Sequence, residues 1–122
     1  MNERKTEKLV RDALNAQGYL ADKHVTVEEQ KSDNPKIRKL LKTASKAGSG
    51  AGSPEFIITS SEYLELVIVV ECKASTKFHR SKDLDEPKDY ACDGALLYAA
   101  YLSKEYDVIA IGVSGEKKRS SL

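Results

Sequence analysis

Apolar residues recur along the chain at two different periods, and the switches between them mark out the elements. Leu9, Val10, Ala13 and Leu14 fall at helical spacing and Gly18 stops the run, so residues 3–17 are predicted to be a helix. His24-Val25-Thr26-Val27-Glu28 reads as a short strand. Asn34-Pro35 combines a helix N-cap with a proline at the first helical position. Ile37, Leu40, Leu41 and Ala44 then form one apolar stripe, so residues 35–46 are predicted to be a second helix with a basic outer face. Gly48-Ser49-Gly50-Ala51-Gly52-Ser53 has loop composition.

The second half is more apolar. Residues 55–59 read as a strand, Ser60-Ser61-Glu62-Tyr63 as a turn and residues 64–73 as a second strand. Leu66-Val67-Ile68-Val69-Val70 is apolar on both faces, which predicts a central strand covered above and below. Residues 74–86 are polar and read as loop, residues 87–104 as a long alanine-rich helix, and residues 108–113 as a last buried strand. The order is therefore α-β-α-β-β-α-β, an α/β fold with a mixed sheet flanked by helices. Strands 55–59 and 64–73 are expected to pair as an antiparallel hairpin. The helix 87–104 should return the chain to a parallel neighbour.

A chain of 122 residues can bury one core without disulfides or a structural metal, and its 40% apolar and 32% charged residues are those of a globular domain. It carries no internal repeat, and no apolar run approaches the roughly 18 residues that a membrane helix needs. The amino-terminal Met1-Asn2-Glu3-Arg4-Lys5 is not a secretory signal, so a cytoplasmic protein is expected. Cys72 and Cys92 match no metal-ligand spacing and are expected to be free, buried thiols. A net charge of +1 says nothing of nucleic acid, but the distribution does. Lys36, Arg38, Lys39, Lys42 and Lys46 follow one another without an intervening acid, and Lys77, His79, Arg80 and Lys82 form a second cluster. Lys117-Lys118-Arg119 forms a third. Such clusters are either solvated faces or electrostatic footprints of a phosphate backbone.

The candidate chemistry lies at the end of the central strand. Side chains alternate along a strand, so Glu71 and Lys73 share a face, about 7 Å apart, while Cys72 points into the opposite apolar layer. If the hairpin is antiparallel, Glu55 at the start of its first strand lies beside Glu71 at the end of its second. Two convergent carboxylates and a lysine suit Mg²⁺, which takes one or two carboxylates and keeps waters and substrate phosphate as its other ligands. The ammonium can orient a water or stabilise charge on a phosphoryl group. The bland alternative is a same-face salt bridge.

Pro54-Glu55 followed at hairpin distance by Glu71-Cys72-Lys73 resembles the PD-(D/E)xK nuclease superfamily, with Glu55 where aspartate is usual. The element order extends the resemblance over most of the chain, to a restriction-endonuclease-like core. The segments Ala44-Ser45-Lys46 to Gly52-Ser53-Pro54-Glu55-Phe56 and Tyr90-Ala91-Cys92-Asp93-Gly94-Ala95-Leu96 look like amino-terminal nuclease domains of restriction enzymes that also carry an adenine-N6 DNA methyltransferase. The resemblance implies a DNA-hydrolysing endonuclease using Mg²⁺, with Mn²⁺ as a substitute. The catalytic residues are then Glu55, Glu71 and Lys73. Glu55, Glu71 and the main-chain carbonyl of Cys72 hold the metal, and Glu7 of the first helix, or less well Glu3, is a further candidate ligand.

Lys36, Lys39, Lys42, Lys46, Lys77 and Arg80 are the candidate contacts to double-stranded DNA. The loop residue His79 is expected to be solvated, His24 structural, and Asp93 a local cap or pair. Gly94 should mark close helix–sheet packing, and Tyr90, Tyr98 and Tyr101 should belong to core and rim. No groove-reading element is evident, so cleavage without sequence preference is expected. Residues 1–122 would then be a single nuclease domain, the amino-terminal part of a longer chain with methyltransferase and target-recognition parts. Two alternatives stay open: a catalytically silent nuclease fold that binds DNA or protein, and a stand-alone structure-selective nuclease.

Overall fold

The structure, a computed structural model, describes residues 3–47, 53–87 and 90–115. The glycine-rich segment at 48–52 and the basic tail at 117–119 lie outside them. Three helices and four strands follow in the expected order: α1 (Glu3–Ala16), β1 (Val25–Glu29), α2 (Pro35–Ala47), β2 (Phe56–Ser60), β3 (Leu66–Lys73), α3 (Ala91–Leu102) and β4 (Asp107–Ser114). A 3-10 turn at Thr76–Phe78, which the polar composition of residues 74–86 concealed, stands between β3 and α3. The strands form one sheet in the order β1-β2-β3-β4. β1 and β3 both run antiparallel to β2, and β4 runs parallel to β3. This is the mixed α/β sheet flanked by helices that the patterning predicts, and it is compatible with a restriction-endonuclease-like core.

The two faces of the sheet are covered by different helices. On one, Ile57, Val67 and Val69 pack with Ile37, Leu41 and Ala44 of α2 and with Tyr98 and Leu102 of α3. On the other, Phe56, Ile58, Val70 and Cys72 pack against Val10 and Leu14 of α1. Each fully buried valine or isoleucine contributes about 1.5–3 kcal/mol. That apolar run offsets the several kcal/mol that burying a carboxylate at the strand end costs.

The boundaries differ from the expectation where a cap overrides the periodicity. α2 starts as expected: Asn34 Oδ1 accepts from the main-chain N–H groups of Lys36 and Ile37, at 2.9 and 3.2 Å. α3 is shorter than residues 87–104. Tyr90 is extended (φ −121°, ψ 134°), and the helix begins at Ala91. Asp93 explains why. Its buried carboxylate accepts hydrogen bonds from the N–H groups of Ser81 and Glu86, at 3.0 and 2.8 Å, and from the Ser81 hydroxyl. The connection is thereby drawn across the amino end of α3 instead of joining it. Among the described residues, no helix is long and apolar enough to cross a membrane.

Candidate active site

The β2–β3 register pairs Phe56 with Val70 and Ile57 with Val69. One further step sets Glu55 against Glu71, on the face shared by Ile57, Val69 and α3. Buried Pro54 precedes Glu55, whose carbonyl accepts the Gln30 N–H at 3.1 Å, so β1 steadies the main chain at this point. The Glu55 side chain is half-buried. Its Oε2 is shielded from solvent and has no hydrogen-bond partner among the described residues.

Glu71 is 4% exposed and lies directly under α3. At Gly94 a Cβ would stand 2.8 Å from Glu71 Oε2, 3.1 Å from its Cγ and 2.9 Å from the Pro87 carbonyl oxygen. Only a residue without a side chain allows this contact, which is the close packing expected of that glycine. A second close approach lies alongside. Gly112 of β4 is the register partner of Glu71, and a Cβ there would stand 2.8 Å from Cys92 N and Sγ. The first turn of α3 therefore rests flat on the ends of β3 and β4.

Four residues after Gly94, the fully buried Tyr98 brings its phenol to the same place. Burial first, then the negative charges of Glu71 and Glu55, push its pKa upward, so the phenol stays protonated. The ring is the core residue that helical spacing predicts. Its hydroxyl is buried without a hydrogen-bond partner among the described residues and lies within the field of the two carboxylates. The signal for this in the sequence is the i, i+4 spacing of Gly94 and Tyr98 on one helix face.

Lys73 lies two residues beyond Glu71 on the same face. Its carbonyl accepts from the Gly115 N–H at 3.0 Å and lies 3.3 Å from the hydroxyl of buried Thr6, which also bonds the Gly115 carbonyl. α1 thus pins the ends of β3 and β4 together. The Cys72 side chain enters the opposite layer, as expected. Both cysteines are free, but Cys92 is only half-buried. Glu7 lies in the field of Arg11, whose charged form is held chiefly by hydrogen bonds to Glu29 against the cost of burial. Among the described residues, no three His, Cys, Asp or Glu side chains group as a metal site.

His79 differs from the expectation of a solvated loop residue. It is half-buried, with Nδ1 3.0 Å from the Ser114 hydroxyl and Nε2 3.5 Å from Cys92 Sγ. The 3-10 turn folds the loop back over the strand ends and carries the ring there. Lys77 and Arg80, from the same loop, remain exposed. The cations of α2 divide. Lys39, Lys42 and Lys46 are exposed, whereas Lys36 lies 4.0 Å from Glu105 and 5.6 Å over the Tyr106 ring.

Two carboxylates facing one another across a hairpin, one with an orphaned buried oxygen, form an oxygen donor set of the kind that suits a hard divalent cation.

Among characterised proteins, the type II restriction enzyme and methyltransferase RM.BcgI of Heyndrickxia coagulans is similar to this chain, at 38% identity over 112 residues. The match covers 80% of this chain, and the chain spans 17% of the length of that protein. No family model matches the chain, and no solved structure does.

Proposed function

We propose that this chain is the DNA-cleaving part of a restriction–modification protein, a PD-(D/E)xK endonuclease that hydrolyses phosphodiester bonds with Mg²⁺ or Mn²⁺. The observation that carries the reading is the Glu55–Glu71 pair across the hairpin, with Glu55 Oε2 buried and unsatisfied among the described residues. The similarity to a protein named as both restriction enzyme and methyltransferase supports it.

Glu55, Glu71 and the main-chain carbonyl of Cys72 would hold the cation. When bound, the metal supplies Lewis-acid polarisation of a phosphoryl oxygen and a lowered pKa for water. Lys73 orients the attacking water and offsets charge developing on the phosphoryl oxygens. Gly94 lets α3 pack directly over Glu71. The Tyr98 phenol, held protonated by burial and by the charges of Glu71 and Glu55, keeps a further negative charge out of the site. Double-stranded DNA is the substrate. Methyltransferase and target-recognition parts on the same longer chain supply specificity, and the protein works in the cytoplasm.

Plasmid cleavage tests the reading. The protein is expected to nick and degrade plasmid with Mg²⁺ or Mn²⁺ and to be inert in chelator. Glu71→Ala should be inactive while its circular dichroism is unchanged. A folded protein that leaves plasmid intact with either metal would support the silent DNA-binding fold instead, the alternative that glutamate in place of aspartate at position 55 raises.

A further inference from the structure

A groove of about 420 Å³ runs along α2, lined by Gln30, Lys31 and Ser32 on one side and by Arg38, Lys42 and Lys46 on the other. Among the described residues, no acid lines it. Asp33 stands beside it, exposed, and reaches the Arg38 guanidinium at 3.7 Å. The Arg38 Nε donates to the Ser32 carbonyl at 3.0 Å, which fixes that cation against the wall. Lys31, Lys42 and Lys46 are exposed and form no ion pair with the described residues.

The groove is joined to the Glu55–Glu71 pair by the main chain. Gln30 adopts φ 64°, a left-handed conformation that residues with side chains seldom take. This bend ends β1, sends Lys31 and Ser32 along the groove and still lets the Gln30 N–H reach the Glu55 carbonyl. Ser53, which also lines the groove, lies two residues before Glu55 in the chain. The cations at positions 38, 42 and 46 follow one another by single helical turns, so they form a track and not a patch. Lys36 and Lys39, which share the basic run in sequence, do not line it.

We infer that this groove is a backbone track for duplex DNA. Lys31, Arg38, Lys42 and Lys46 hold the phosphates that flank the scissile one on the Glu55 side, and they add affinity without reading sequence. The word scissile rests on the nuclease reading; the binding does not.

Binding and cutting can be measured apart. Binding of a short mixed-sequence duplex is followed by fluorescence anisotropy in chelator, over a series of salt concentrations. Lys42→Gln with Lys46→Gln should weaken binding and flatten the salt dependence by about 0.9 in slope for each phosphate no longer neutralised. Lys31→Gln should take a further step. A control pair with the same charge change, Lys23→Gln with Lys104→Gln, both exposed and outside the groove, should leave the slope as it was. An unchanged slope in the first pair, or an equal loss in the control pair, overturns the groove. Groove-dependent binding by a protein that never cuts leaves the groove standing and removes only the nuclease reading. Cutting with a slope indifferent to these lysines does the reverse.

Discussion

The two faces of β3 are built from one apolar run and end differently. Val67 and Val69 are fully buried under α2 and α3, and the same face continues into Glu71 and Lys73. Val70 and Cys72 are buried under α1, while farther along that sheet face Ile109 and Ile111 of β4 stay 48% and 40% exposed. Charge thus emerges on the tightly packed face. A carboxylate is expensive to bury, and a rigid surround can hold it where a metal or substrate will compensate. Among the described residues, the α1 face buries no carboxylate, and its cover is looser. Its contribution is to tie the strand ends, through Thr6, and the rim, through Arg11.

The largest contrast comes from neighbouring positions of the one strand. Lys73→Ala should lower cleavage by about 10²–10³-fold, the usual loss for one preorganised electrostatic group, and leave cation binding intact because an ammonium is no ligand. Cys72→Ala, on the other face, should cleave normally and cost stability alone. Plasmid assays beside urea titrations check both. Equal cleavage by the two variants would erase the difference between the faces.

Gly94→Ala comes next. Its methyl group would meet Glu71 Oε2 and the Pro87 carbonyl below 3.0 Å, and backbone cannot move aside cheaply. A loss of about 1–3 kcal/mol is expected, as for other overpacked sites, together with weakened cleavage. Wild-type stability and rate in this variant would show that α3 does not press on Glu71.

Asp93→Asn tests the clamp that starts α3, with a comparable cost of about 1.5–3 kcal/mol for the hydrogen bonds to a charged group that it removes. Burial works against the Asp93 charge, but the Ser81 hydroxyl and the Glu86 and Ser81 N–H groups outweigh it and hold the carboxyl below its ordinary range. The folded-state pKa is thus depressed. The associated stability is fully present above the unfolded value of about 3.9, and it is lost as pH falls through the folded one. Wild-type protein should therefore weaken on acidification through that window. Asp93→Asn should be weaker at neutral pH and lose less on acidification. Parallel acid limbs for the two proteins would mean that Asp93 is not the group that titrates.

Smaller effects are expected from Tyr98 and Arg11. Tyr98→Phe removes a buried hydroxyl that lacks a hydrogen-bond partner among the described residues, so metal-free stability should hold or rise by about 1 kcal/mol. A fall of that size would reveal a partner for the phenol. Arg11→Ala breaks an exposed fork to Glu29, with contacts of 2.5 and 3.0 Å, and a guanidinium 5.8 Å above the Phe56 ring. Exposed pairs contribute about 0.2–1 kcal/mol, and this one should weaken further with salt. A larger cost by thermal denaturation would mean that the α1 face is held as tightly as its opposite.

Much of this architecture is legible in the sequence because it depends on local period and alternation. The apolar stripe of Ile37, Leu41 and Ala44, the Asn34 cap and the doubly apolar Leu66–Val70 each act within a few residues. The expectation that Glu55 meets Glu71 needs only strand alternation and an antiparallel hairpin, and β2 and β3 do pair antiparallel up to Phe56 and Val70. The true start of α3 could not be read this way, because a carboxylate at position 93 sets it by bonding residues 81 and 86.

The same divide runs through the site. Residue type and spacing nominate Glu55, Glu71 and Lys73. They do not say that Tyr98 brings its phenol to the carboxylates, that His79 is drawn onto Ser114, or that Lys36 and Lys42 lie on different sides of one helix. Those outcomes come from how α2 and α3 lie on the sheet. Helix placement is settled by packing between residues far apart in the chain, such as Gly94 on Glu71 and Gly112 on Cys92, where the absence of a side chain decides how near two backbones come.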